Sequence, residues 1–426
     1  MRPAMRRTDE TTGCTGMGRA TRTGRALTVT VVAVLTTLLL PFGTGPLGPV
    51  RAEAATADAL TFTGHGWGHG RGMGQYGSYG YAVDHGWTYQ QILDHYYGGT
   101  RLAADAGNPV VAVQLTRLAG RDTVVTGSSL QVDGASAGTA AVLLRREAAG
   151  TYTVYRGSGC AGPWTVWSTG KASGVTVSTS ASATSQANLL QVCEAGKTTG
   201  YRGTLSAVTS GANQTTVNRV SIDDYLRSVV PAESPASWGT AGGGRGMHAL
   251  RAQTVAARSY ALSSGATTIC DTTACQVYRG SFTQPTGGAV VSSEHATTNQ
   301  AIADTSGQVR RAGNGAVSRT EFSSSTGGWT AGGVFPAVED LGDATRGNPN
   351  HDWTVSVPLT TIASALGTGP VAGVTVTARN GLGADGGRVL TMVVTATDGR
   401  QSSFTGNQVR VALGLKSDWF SVSGFT

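Results

Sequence analysis

The chain has 426 residues and a formal charge of +7, with 39% hydrophobic but only 13% charged residues, a length with room for a sizeable core and two or three domains. Residues 1–54 hold seven Arg against three acids, so +4 of that charge lies there and +3 remains downstream. Nucleic acid rewards clustered Lys and Arg, so this balance argues against it as a partner and suits an anionic cell wall instead.

The first segment reads as a leader. Arg2, Arg6, Arg7, Arg19, Arg22 and Arg25 precede an apolar run from Ala26 to Leu40, which Pro41 ends. Ala52-Glu53-Ala54 then offers small residues where a signal peptidase reads, predicting cleavage before Ala55. The run is shorter than the roughly 20 residues that span a bilayer. A short membrane anchor is the competing reading. The leader reading gives a protein that is secreted or cell-wall associated, with no stable membrane anchor after cleavage. It also removes Cys14, leaving four cysteines, an even number that favours disulfides in an exported chain.

From Gly64 the chain reads GHGWGHGRGMGQYGSYGYA, with glycine at alternate positions through Gly74 and again at Gly77 and Gly80. Each glycine costs a helix about 1 kcal/mol relative to alanine, so the run predicts no stable helix. Unusual dihedrals or very close approach to another segment is the expectation. It presents His65, Trp67, His69, Met73, Gln75 and Tyr76. A dinucleotide loop is rejected, because no apolar strand precedes the glycines and no βαβ unit follows. Thr88 and Gln91 then form a capping-box pattern ahead of YQQILDHYY, a short helix stopped by Gly98 and Gly99.

Between about Val110 and Val220, short β-prone runs such as VVAVQL, AVLLRR, TYTVYR and TTVNRV alternate with turn residues, predicting a mostly antiparallel β region. Cys160 and Cys193 lie within it and are natural disulfide partners; closing that loop stabilises by about 3–4 kcal/mol. Ser221 with Asp224 resembles a capping box for SIDDYLRSVV, and Pro231 is expected to end that helix. Glu233 follows in a loop between Pro231 and Pro235. Partly removed from water there, it would have its pKa raised toward a useful general acid, or it would simply bind backbone N–H groups at a helix start. Met247 to Gly265 shows the clearest helical spacing, with Ala249, Ala252 and Ala256 as small packing residues. Arg258 on that helix either turns inward to a carboxylate or ligand, or snorkels at the surface.

Cys270 and Cys275 form a second close pair. A zinc site there needs two further ligands and none is adjacent, so a disulfide is favoured and no metal or other cofactor is expected. From Gln276 onward QVYRG, AIADT, TEFSS, WTVSV, VTVTAR and VLTMVVTAT predict strands, and NQVRVALGL a last helix with Asn407 as N-cap. Ser323 to Thr330 (SSSTGGWT) combines hydroxyls, permissive backbone and an indole, which suits a sugar; a plain polar turn is the alternative. His65 and His69 lack the helical spacing that makes paired histidines convincing metal ligands. The whole predicts a β-rich α+β protein.

At YLRSVVPAESPASWG and HALRAQTVAARSYAL the chain closely resembles the SpoIID/LytB (sporulation stage II protein D) family. CDTTACQVYRG, FSSSTGGWT, VRVALGLKSDWF and GHGWGHGRGMGQYG are similar to further family segments. The resemblance implies a SpoIID-like core over residues 201–426, a Gly/His motif with a short helix over 60–101, and a β-rich insertion over 108–200. It implies a lytic transglycosylase of peptidoglycan glycan strands, with Glu233 as general acid and base and Arg258 orienting it or touching substrate. His65, His69, Gln75, Tyr76, Ser324, Ser325, Thr326, Gly327 and Gly328 are the implied substrate contacts, and a cell-wall amidase an implied partner. The Gly/His motif, usually C-terminal in the family, is N-terminal here, which looks like a circular permutation. Ala274 stands where some relatives carry a histidine, and Gly242–Gly246 lengthens the loop after Glu233. A non-catalytic wall-binding amidase enhancer is the alternative function.

Overall fold

Alternating apolar residues in the middle of the chain build two large sheets. The computed structural model describes residues 58–424 except 183–184 and 266, within one compact unit spanning residues 55–426. The expected leader and Cys14 lie outside the described residues. One eight-stranded sheet runs, in spatial order, through 164–171, 152–157, 141–146, 123–126, 190–194, 197–201, 282–285 and 291–292. A seven-stranded sheet runs through 269–270, 110–114, 213–221, 204–210, 175–179, 130–132 and 135–136. Their inward residues, among them Val113, Val125, Leu144, Val154, Val177, Val192 and Leu205, share one core. Each such side chain contributes about 1.5–3 kcal/mol on burial.

Strands before and after residue 200 interleave. Val175–Thr179 pairs with Thr204–Ser210, and Lys197–Tyr201 pairs with Phe282–Pro285 while crossing the expected boundary itself. The 108–200 region is therefore woven into the same sheets as the chain after 201. Both cysteine pairs are disulfides, Cys160–Cys193 and Cys270–Cys275.

Helices form a second core. Helix α1 spans Gln75–Val83, α2 Tyr89–Tyr96, α3 Ile222–Glu233 and α4 Met247–Ser263. Tyr81, Ile92, Leu93, Tyr96, Leu250 and Val255 pack together there, and the buried Ala249, Ala252 and Ala256 of α4 let neighbouring backbone approach. The Thr88 capping box is present in full, and Ser221 caps α3 by accepting from the Asp224 N–H at 3.3 Å.

Pro231 does not end α3, which continues to Glu233. Proline already holds a helical φ and removes only one donor, and the last turn still closes through the Ser234 N–H to Val230 O at 2.9 Å. The glycine run also departs from expectation in its second half. Gly66, Gly68, Gly70 and Gly72 take positive φ as the run predicts, but from Gln75 the chain is helical. Gly77 and Gly80 have no room for a Cβ: the first faces the Tyr96 hydroxyl and Asp340, the second the Gly342 carbonyl. Close packing outweighs helix propensity there.

Further along, AIADT forms the end of helix α5 (Ala296–Asp304) and its C-cap Thr305 instead of a strand, with Ala301 and Ile302 buried. Such a short apolar run does not distinguish the two states. QVYRG is irregular. Helix α6 (Leu359–Leu366) is unforeseen, and α7 (Gly406–Leu413) is capped by Thr405 with Gln408, not by Asn407. A third core joins α6 and α7 to a sheet in which Ala59–His65 lies between Asp352–Pro358 and Phe420–Ser423. The first and last described strands are thus neighbours, and the class is β-rich α+β.

Candidate active site

Glu233 is the last residue of α3, half-buried. Its Oε1 accepts the Val277 N–H at 3.0 Å and its Oε2 accepts Gln75 Nε2 at 3.4 Å. Burial raises its pKa above the usual carboxylate range, and these two donors, with the Arg279 charge, oppose the rise only in part. Gln75 is delivered by the head of α1. The parallel bridge of Met73–Gly74 to Phe322–Ser323 and the Tyr76 N–H to Ser324 O bond of 3.0 Å fix that turn.

Two cavities meet at this carboxyl. One of about 230 Å³ is lined by His69, Arg71, Tyr260, Arg319, Glu321 and the Thr273–Cys275 loop as well as Glu233. Arg71 and Glu321 pair through two bonds of 2.8 and 3.1 Å, which holds the Glu321 carboxyl below its ordinary range. His69 accepts the Arg71 N–H on Nδ1 at 2.9 Å, and burial followed by the Arg71 charge lowers its pKa to about 4. It is therefore neutral at pH 7 with its proton on Nε2. Arg319 donates to the Tyr260 hydroxyl at 2.6 Å and lies 4.4 Å from that ring's centroid. No carboxylate pairs with it among the described residues, so it carries the cavity's uncompensated charge.

The other cavity, about 330 Å³, is aromatic: Trp67, Tyr76 and Trp238 line it with Gln75, Ser324 and Asn350. Tyr76 meets Trp238 edge to face at 5.3 Å, and Trp67 is 50% exposed with Lys416 Nζ 5.4 Å from its ring centroid.

Of the expected residues, Glu233, His69, Gln75, Tyr76 and Ser324 therefore gather here. Arg258 does not. Its fully buried guanidinium donates to Thr305 O at 2.7 Å, Gln308 O at 3.2 Å and Asp223 at 2.8 Å. Asp223 starts α3 and Glu233 ends it, about 15 Å apart at 1.5 Å per residue, so the arginine serves the wrong end of the helix for the expected role. His65 lines neither cavity, being held by Asp352 at 2.6 Å and Asp385 at 3.4 Å.

Ser325, Thr326 and Gly327 are buried beneath the site. The Ser325 hydroxyl and the N–H groups of Thr326 and Gly327 converge on Asp343 at 2.8, 3.0 and 2.9 Å, and the Thr326 hydroxyl reaches Asp340 at 2.7 Å. Gly328 accepts the Asp340 N–H at 2.8 Å and lines neither cavity. None of these four lines either cavity. Burial, then the neighbouring Asp343 charge, pushes the Asp340 carboxyl above the usual carboxylate range.

Trp238, Tyr260, Arg71, Arg319, Asn350 and the Val277 N–H escaped sequence reading. The aromatic and basic residues had no spacing that set them apart, and a backbone N–H has no sequence signature. Both sulfurs of Cys270 and Cys275 are taken by each other, and among the described residues no group of three or more His, Cys, Asp or Glu is placed to hold a metal.

Residues 210–311 match the SpoIID family, described as Stage II sporulation protein. A 105-residue stretch, 25% of this chain, is 41% identical to the amidase enhancer of Bacillus subtilis (strain 168), of which it covers 12%. No solved structure matches. The matched segment includes Glu233, the disulfide loop of Cys270–Cys275 and Val277; the glycine run and Ser324 lie outside it.

Proposed function

We propose that the protein is a peptidoglycan lytic transglycosylase. Protonated Glu233 gives its proton to the oxygen linking MurNAc C1 to GlcNAc O4, and that bond breaks. The resulting carboxylate takes the proton of the muramyl 6-hydroxyl, whose oxygen bonds to C1 and closes a 1,6-anhydro ring. No water is consumed, and the acid ends as it began. An intramolecular nucleophile needs one essential carboxyl, in contrast to the pair used by most glycosidases. The observation that carries this reading is the position of Glu233: desolvated, held by uncharged donors, and at the junction of two cavities. The aromatic side suits a sugar's CH face, and Arg319 suits an anionic substituent of the muramyl sugar.

Digestion of purified glycan strands followed by mass analysis tests it. The expected products carry 1,6-anhydromuramyl ends that vanish in Glu233→Gln, a loss of at least about 10²-fold. Equal activity in the variant sinks the assignment. The relative's name, amidase enhancer, favours a second reading in which the chain binds the wall and assists an amidase. Undiminished stimulation of a cell-wall amidase by Glu233→Gln, with no anhydro ends from either form, is its signature. Action outside the membrane accords with the two disulfides and with the absence, among the described residues, of a helix able to cross a bilayer.

A further inference from the structure

We infer that the Cys270–Cys275 disulfide is a positioning element for the acid: it ties the loop that delivers the Val277 N–H to the sheet behind it. The inference rests on the proposed role of Glu233. Cys270 closes the short strand Ile269–Cys270, which pairs in parallel with the sheet at Val113 and Gln114. The chain then leaves the sheet, and residues 271–280 form no ladder. Through the disulfide, Cys275 returns to within 5.5 Å of Cys270, Cα to Cα. Thr273, Ala274 and Cys275 thereby become the cavity wall beside Glu233.

One residue separates Cys275 from Val277. That residue, Gln276, is fully buried, its side chain accepting from the Tyr225 hydroxyl at 3.0 Å and donating to Ala257 O at 3.3 Å. The Tyr278 N–H closes the base of the loop on Asp271 O at 3.1 Å. Val277 therefore sits between two anchors, with the disulfide holding its upstream side, and its N–H meets Glu233 at 3.0 Å. Removing a donor to the ionised form raises an acid's pKa. An opened loop should accordingly leave Glu233 protonated to higher pH while the cavity wall loosens.

The test uses the full chain with Cys14→Ser, Cys160→Ser and Cys193→Ser, in which the remaining disulfide is reduced by a dithiol that itself becomes a cyclic disulfide. Intact mass after alkylation verifies two free thiols. The basic limb of kcat/KM for release of anhydro ends should move up by about one pH unit on reduction, tenfold in activity retained above the limb. Cys270→Ser with Cys275→Ser should reproduce that shift. A limb that stays put in verified dithiol protein overturns the inference, because a merely structural bridge would change thermal stability alone. Collapse of the near-ultraviolet circular dichroism on reduction overturns it as well, since the bridge is then holding the fold and not the acid. Failure of the oxidised wild type to release anhydro ends is a separate result and counts against the proposed function.

Discussion

Gln75→Glu is the most direct probe of how Glu233 is tuned. Gln75 Nε2 donates to Glu233 Oε2 at 3.4 Å from a buried position, and glutamate keeps the side chain's length and shape. The change removes a donor that favours the carboxylate and sets a second carboxyl against it. Like charges sharing a partly desolvated site cannot both ionise easily, so one pKa of the pair should rise by about 1–2 units. The sign for activity follows from the required form. The first step needs protonated Glu233, so kcat/KM falls above its pKa and a higher pKa extends activity to more alkaline pH. Gln75→Leu removes the donor without adding charge, and at 3.4 Å that donor is weak, so its shift should be under about half a unit. The assay is the pH profile of kcat/KM for anhydro-end release by wild type and both variants. Equal basic limbs in wild type and Gln75→Glu would refute the argument that this amide sets the acid's environment.

Replacing Arg258 with Met should cost about 3–5 kcal/mol of stability, measured by urea unfolding, because Asp223 and two backbone carbonyls lose their donor. The basic limb in the folded fraction should stay where it is; a shifted limb would restore a direct role beside Glu233. Trp67→Ala, at a half-exposed ring on the aromatic cavity, should raise KM for glycan strands about tenfold, or about 1.4 kcal/mol, with a smaller change in kcat. An unchanged KM would remove the indole from the binding surface.

What could be read from the sequence was local. Thr88 with Gln91 and Ser221 with Asp224 mark helix starts that the structure shows, because a cap depends on residues three apart. The long apolar spacing of α4 and the alternation of the middle strands were legible for the same reason. Pro231 misled, because the rule against proline in helices weighs an interior turn and here the helix closes two residues later. The helix in the second half of the glycine run was invisible, since its cause is the remote contact of Gly77 with Tyr96 and Asp340, and of Gly80 with Gly342. Likewise the hydroxyls of Ser325 and Thr326 look fit for a sugar until Asp343 and Asp340 are seen to occupy them.

The correction at Arg258 bears on the chemistry as well as on the map. An arginine against a carboxylate commonly lowers its pKa by about 1–3 units, which would leave a poor proton donor at neutral pH. Arg258 is instead bound to Asp223 and to carbonyls at the other end of α3. Glu233 is held by a neutral amide and a backbone N–H, which orient a carboxyl while opposing burial only in part. Of the cationic groups that act at the site, Arg71 is neutralised by Glu321, Arg319 faces the cavity, and the Arg279 charge opposes burial only in part. On the proposed mechanism, a site arranged this way keeps Glu233 protonatable and leaves the Arg319 charge facing the cavity beside it. A Glu233–Arg258 pair, one of the two roles the resemblance implied for that arginine, would have weakened the proton donor of the proposed mechanism.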